Sequence, residues 1–175
     1  LDLVGLTEVA GRKLGGFSGG MKRRVGIAQA LLGDPLVVIV DEPTAGLDPE
    51  ERVRFRNLLA GLSADRTVLL STHIVEDIAQ TCGRLAVLAG GRLLYQGPVQ
   101  DLVESARGRV WTVRATQLPP SPDHVVVSTV HLGDTVQYRL VGEPPPGVDA
   151  VQVEPTLEDG FLRRMLEVRA SLPTG

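Results

Sequence analysis

Five consecutive apolar residues, Leu36-Val37-Val38-Ile39-Val40, run directly into two acids, Asp41 and Glu42. A short apolar run without alternation suits a central parallel strand covered on both faces. Carboxylates that end such a strand are costly to bury unless a cation or hydrogen-bond donors meet them. They also stand at the strand's carboxyl end, outside which open α/β sheets bind ligands. Asp41 is therefore a candidate to hold a Mg²⁺ ion through a water, and Glu42 a candidate to polarise an attacking water. The plainer alternative is that both acids face solvent in a strand-to-loop turn.

The flanking segments read as helices. Ser18-Gly19-Gly20 opens a pattern from Met21 to Leu32 in which Met21, Val25, Ala28 and Leu32 recur on one face. Gly33 suits the position after a helix end, and Asp34-Pro35 stops it. Asp48-Pro49-Glu50-Glu51 has the order of a helix start: cap, proline, acids. Phe55, Leu58, Leu59 and Leu62 give that helix an apolar stripe. Thr67 to Leu70 reads as a second strand with Ser71-Thr72-His73 just past it, then a helix from Ile74 to Cys82. Leu85–Leu88 and Leu93–Gln96 suit a hairpin turned by Gly90-Gly91. Alternating short strands and helices argue for βαβ units and a mostly parallel sheet.

From Gly108 to Glu154 the texture changes to Val- and Thr-rich runs broken by proline and glycine, as in Leu118-Pro119-Pro120-Ser121-Pro122-Asp123 and Glu143-Pro144-Pro145-Pro146-Gly147. That predicts a small β-rich appendage. A last helix from Leu157 to about Arg169 follows, capped by Thr156, with Glu158 and Asp159 in its first turn. The expected division is residues 1–107 and 108–175.

Composition narrows the function classes. A net charge of −3 gives no reason to expect nucleic acid as partner; the basic run Lys22-Arg23-Arg24 is too short to change that. The single cysteine, Cys82, forms no internal disulfide, reads as a small apolar residue and fits a reducing compartment. No apolar run approaches the roughly 20 residues that span a bilayer, no secretory signal is visible, and no internal repeat or low-complexity segment stands out. The first residue is Leu1, so a fragment is the simpler expectation.

Three features can meet at one mouth. Glycines at a helix start let backbone N–H groups approach an anion, and the helix dipole adds positive potential, although an ordinary capped helix explains Ser18-Gly19-Gly20 as well. His73 can reach a phosphate or remain a structural histidine. Asp48 can act at a site, cap a helix, or do both.

Together these residues carry a family resemblance. Phe17-Ser18-Gly19-Gly20-Met21 resembles the signature motif of ABC (ATP-binding cassette) ATPases, with Phe and Met where Leu and Gln are usual. Leu36 to Glu42 resembles their Walker B strand and catalytic glutamate, Ala45-Gly46-Leu47-Asp48 their D-loop, and His73 their switch histidine. The resemblance covers about residues 1–107. It implies a P-loop NTPase-like α/β fold, here a partial parallel sheet with helices, followed by the appendage. Pro43-Thr44-Ala45-Gly46-Leu47-Asp48-Pro49 and the Gly91–Gly97 segment resemble the transporter branch. Glu154-Pro155-Thr156-Leu157-Glu158-Asp159 with Phe161-Leu162 resembles the tail of drug-, antibiotic- and lipid-export cassettes.

The resemblance implies ATP and Mg²⁺ as cofactors and a head-to-tail dimer with a second ATPase subunit. Ser18, Gly19 and Gly20 would contact the γ-phosphate held by that partner, Asp41 would serve Mg²⁺, Glu42 would act on water, His73 would hold the γ-phosphate, and Asp48 would couple the two sites. Membrane-spanning subunits would be the other partners, with the cassette on the cytoplasmic face of the membrane. The sequence has no Gly-x-x-x-x-Gly-Lys-Ser/Thr loop, so this polypeptide alone is expected not to hydrolyse ATP and to expose part of its sheet. A non-catalytic interaction remnant and a non-transport ABC ATPase are the competing readings.

Overall fold

The computed structural model describes residues 1–118 and 121–171; Pro119 and Pro120 of the first predicted turn lie outside the described residues. The chain is α/β and divides into two compact units, Leu1–Thr81 and Cys82–Gly175.

In the first unit, α1 (Gly19–Ala30) leads to β1 (Val37–Asp41), α2 (Pro49–Leu62), β2 (Thr67–Ser71) and α3 (Val75–Thr81). β1 and β2 pair in parallel, with Val37 opposite Thr67 and Asp41 opposite Ser71. A parallel pair needs a crossover, and α2 supplies it. Val38 and Val40 point into a core with Val4, Leu6, Phe17, Ile27, Phe55, Leu59 and Leu62. The stripe predicted for α2 holds: Phe55, Leu59 and Leu62 are buried and Leu58 packs beside them.

Two expectations need correction. β1 is covered on one face, not both: Val38 is 3% exposed, whereas Val37 and Ile39 are 56% and 70% exposed. Residues alternate sides along a strand, so continuous apolarity reports what a strand tolerates, not what covers it. In α1, the last predicted core residue, Leu32, is exposed, because the helix ends at Ala30 and Leu31 takes the place against the core. Gly33, at φ 86°, still makes the left-handed turn that only glycine adopts freely.

The second unit begins with the predicted hairpin, β3 (Arg84–Ala89) and β4 (Arg92–Pro98). Gly90 and Gly91 both have positive φ, as a two-residue type I′ turn requires. A helix absent from the sequence reading, α4 (Val99–Ser105), follows. Then come β5 (Val110–Ala115), β6 (His124–Leu132), β7 (Thr135–Gly142) and β8 (Asp149–Gln152), an antiparallel sheet in the order β6-β7-β5-β8. The last helix, α5 (Leu157–Ser171), packs on α4, and Arg164 donates from Nε to the Leu94 carbonyl on β4. The hairpin and α4, grouped with the first region by sequence texture, thus pack with the β-rich part. Among the described residues no helix is long and apolar enough to cross a membrane.

Candidate functional site

The carboxyl ends of β1 and β2 lie side by side because the ladder runs one step past β1: the Glu42 N–H donates to the Ser71 carbonyl at 2.8 Å. Glu42 leaves that step at φ 44°, a left-handed conformation uncommon for a residue with a Cβ. The turn brings its carboxylate to the segment after β2. There Thr72 folds the chain over its own hydroxyl, which accepts from the Ile74 N–H at 3.0 Å. The result is one close contact, His73 Nδ1 to Glu42 Oε1 at 2.7 Å.

The second Glu42 oxygen, Oε2, is buried and has no hydrogen-bond partner among the described residues. An orphaned carboxylate oxygen in such a place is satisfied by a donor from outside, such as water. His73 is 74% exposed, so its imidazole stands at the surface with Glu42 as its side-chain partner among the described residues. Asp41 is exposed and sits on the open face of β1 that carries Val37 and Ile39. Asp41 and Glu42 border an open recess of about 430 Å³ between α1 and β1, with Arg23, Gly26 and Pro43 on its wall. Arg23 fixes that wall by donating to the Pro43 carbonyl at 2.7 Å.

Ser18, Gly19, Gly20 and Asp48 form a different group, arranged around Glu51. Ser18 caps α1, its hydroxyl accepting from the Met21 N–H at 3.2 Å. Asp48 caps α2 in the same way, accepting from the Glu51 N–H at 2.8 Å. The Glu51 side chain then reaches α1: it pairs with Arg24 at 3.5 Å and fills the space beside Gly20, where a Cβ would lie 1.9 Å from Oε2. Ser18 and Gly19 are exposed and Gly20 is buried. Among the described residues, no hydrogen bond or ion pair links this group to Asp41, Glu42 or His73.

Sequence reasoning missed the polar cluster behind the pair. Thr44 and Asp77 are each 1% exposed. The Thr44 hydroxyl donates to Asp77 Oδ2, and Arg56 reaches Asp77 Oδ1 at 3.4 Å. The available signal was weak: an acid in the first turn of a short helix is usually a solvated one.

A parallel β-α-β unit with an acid pair and an imidazole at its carboxyl ends defines an α/β protein whose polar side chains gather where open sheets of this kind bind ligands. Comparison with known proteins shows what the chain is similar to. Residues 1–45 match the family model described as ABC transporter. The chain is 37% identical over 179 residues to the Nod factor export ATP-binding protein I of Rhizobium meliloti, covering 93% of this chain and 52% of that protein. It is 42% identical over 179 residues to the ABC transporter ATP-binding protein sll0415 of Synechocystis, covering 95% and 51%. A Bacillus subtilis ABC transporter ATP-binding protein, YxlF, is 39% identical over 113 residues, covering 65% and 38%. The chain is thus similar over most of its length to ABC transporter ATP-binding proteins, and it spans about half the length of the curated relatives it matches.

Proposed function

We propose that this chain is the part of an ABC transporter ATPase subunit that acts on the γ-phosphate end of ATP, in a system that exports its substrate. The observation that carries the reading is the 2.7 Å contact between Glu42 and His73 at the ends of two parallel strands. A carboxylate with one oxygen on an imidazole and the other unpaired suits a group that orients a water molecule. His73, exposed beyond it, suits a group that holds a phosphate oxygen. Asp41, one carboxylate on an open edge, fits Mg²⁺ as that ion is usually held, by one or two carboxylates plus phosphates and water. Mg-ATP supplies the phosphoryl group and its charge; this chain's residues supply positioning and electrostatics.

The second group suits the role of donor to a nucleotide held by another subunit. The start of α1 presents Ser18 and Gly19 at the surface, where backbone N–H groups and the helix dipole favour an anion. Asp48 shares Glu51 with that helix start, so movement of the Asp48 loop and of α1 are tied. A head-to-tail pair of subunits would bring the two groups to one nucleotide, and separate membrane-spanning subunits would take up the motion at the cytoplasmic face. Export is favoured by the tail resemblance and by relatives named as Nod factor export proteins.

Two measurements test the reading. In this chain, which has no phosphate loop in its sequence, Mg²⁺-dependent ATPase should not rise above that of a Glu42→Gln control; clear turnover would contradict it. In a version joined to an upstream phosphate-loop region, Glu42→Gln should preserve ATP binding and slow hydrolysis by about 100-fold or more, the scale of a lost general base. Equal turnover in that variant would remove Glu42 from the chemistry.

A further inference from the structure

We propose that Asp77 is a positioning residue, which holds Glu42 against His73 by anchoring Thr44. The cluster sits behind the pair, not in it. Thr44 lies in the same turn as Glu42, and Asp77 lies in the first turn of α3, the helix that follows His73. The Thr44 hydroxyl donates to Asp77 Oδ2, so a second side-chain contact, besides the pair's own, joins the two segments that carry it. Both side chains are buried, at 1% exposure. A carboxylate buried so fully is costly unless its charge is met. Arg56 of α2 meets it, at 3.4 Å from Oδ1, and also lies 3.8 Å from Glu76.

The backbone shows why an anchor is needed. Glu42 stands at φ 44°, a conformation that persists only where its surroundings over-determine it. On its amino side the ladder does this, through the bond to Ser71. On its carboxyl side, Thr44 on Asp77 is the side-chain bond that ties the turn to α3. Arg23 on the Pro43 carbonyl adds a second tie from α1. Releasing Thr44 frees the carboxyl side of Glu42 from α3 and leaves the turn to the Ser71 and Arg23 bonds, neither of which ties it to the segment that carries His73 from the α3 side.

This inference rests on the reading of Glu42 and His73 as the acting pair, yet its test uses no nucleotide, so either can fail alone. The full chain is labelled with ¹⁵N-histidine, and the His73 ring resonances are assigned by their loss in His73→Gln. The difference in His73 Nδ1 shift between the parent and Glu42→Ala defines the contact. Thr44→Val, which removes the hydroxyl at nearly constant shape, should lose more than half of that difference, and Asp77→Ala should do the same. Thr44→Ser, which restores the donor, should keep it. His124 and His131, both in the second unit, should not move. The proposal is overturned if Thr44→Val and Asp77→Ala leave His73 at the parent position, or if Thr44→Ser moves it as far as Thr44→Val does. A parent spectrum that matches Glu42→Ala also overturns it. So does loss of the helical circular dichroism in Thr44→Val, which would make the cluster a pillar of the fold instead of a positioning device.

Discussion

Glu42 and Gly142 show how differently single residues use a positive φ. At Glu42, φ 44° turns a carboxylate toward His73, and function is the natural account of a conformation that costs energy. At Gly142, φ 121° closes β7 against the start of β6, and an added Cβ would lie 2.1 Å from the Asp123 carbonyl oxygen. That oxygen is backbone and cannot swing away. Gly133, at φ 65° in the turn between β6 and β7, has open space around it. Gly142→Ala should therefore lose about 3 kcal/mol or more of stability, whereas Gly133→Ala should lose about 1–2 kcal/mol, the cost of the left-handed backbone alone. Denaturant unfolding of the two variants separates them; equal losses would show that the Asp123 carbonyl yields. None of this was visible in the sequence, where neither glycine stands apart from the others that break the Val- and Thr-rich runs. The positions of the candidate site residues were legible because each announces itself locally: a cap, a strand end, a residue just past a strand. Their partners were not. Thr44 and Asp77 lie far apart in the chain and carry no pattern that sets them aside from an ordinary loop threonine and an ordinary first-turn acid.

Elements with strong local punctuation were readable. α2 has its cap, proline and acids, and the β3–β4 turn has its two glycines. α5 has Thr156 and Asp159, which bond each other's backbone as a capping box: Thr156 N–H to Asp159 Oδ2 at 2.6 Å and Asp159 N–H to Thr156 Oγ1 at 3.4 Å. α4 was missed because it has only seven residues and a proline N-cap with no side-chain bond. Position in the first turn also hid the larger part of what Asp159 does. It is fully buried and pairs with Arg139 of β7 at 2.6 Å, which fastens α5 to the sheet. Hydrogen bonding to Asp159 holds the Arg139 guanidinium above its ordinary pKa, so Arg139 keeps its charge beside the buried carboxylate. Removing one partner of a fully buried pair costs about 3–5 kcal/mol. Arg139 is 25% exposed and Thr156 still donates to Asp159, so Arg139→Met should cost about 2–3 kcal/mol. Adding Asp159→Asn, which removes the stranded charge, should recover part of that loss in thermal unfolding. A double variant less stable than Arg139→Met would show that the capping bonds of Asp159, not its ion pair, fasten the helix.

For the whole molecule, the covered and uncovered faces of the first unit decide behaviour in solution. The sequence made β1 a strand sheathed on both sides, and the structure sheathes one. Val37, Ile39 and Leu69 line the open face across the β1–β2 pair, at 56%, 70% and 58% exposure, and Leu36 beside them is 79% exposed. Scattered exposed leucines need no explanation, but a contiguous apolar face on a sheet favours association, and a two-stranded sheet leaves backbone groups open along its edges. The chain should therefore bind a hydrophobic dye while folded and gain mass with concentration in sedimentation experiments. Ile39→Thr keeps a β-branched residue in the strand and removes apolar area from the centre of the face. It should lower both dye binding and self-association several-fold while leaving the circular dichroism unchanged. Because Asp41 ends the same face, the variant also separates two effects that would otherwise be confused: weak binding of a nucleotide because the carboxylates are wrong, and weak binding because copies of the chain cover them. If Ile39→Thr leaves association unchanged, the open face of β1 is not what brings the copies together, and the edges or the second unit must do so.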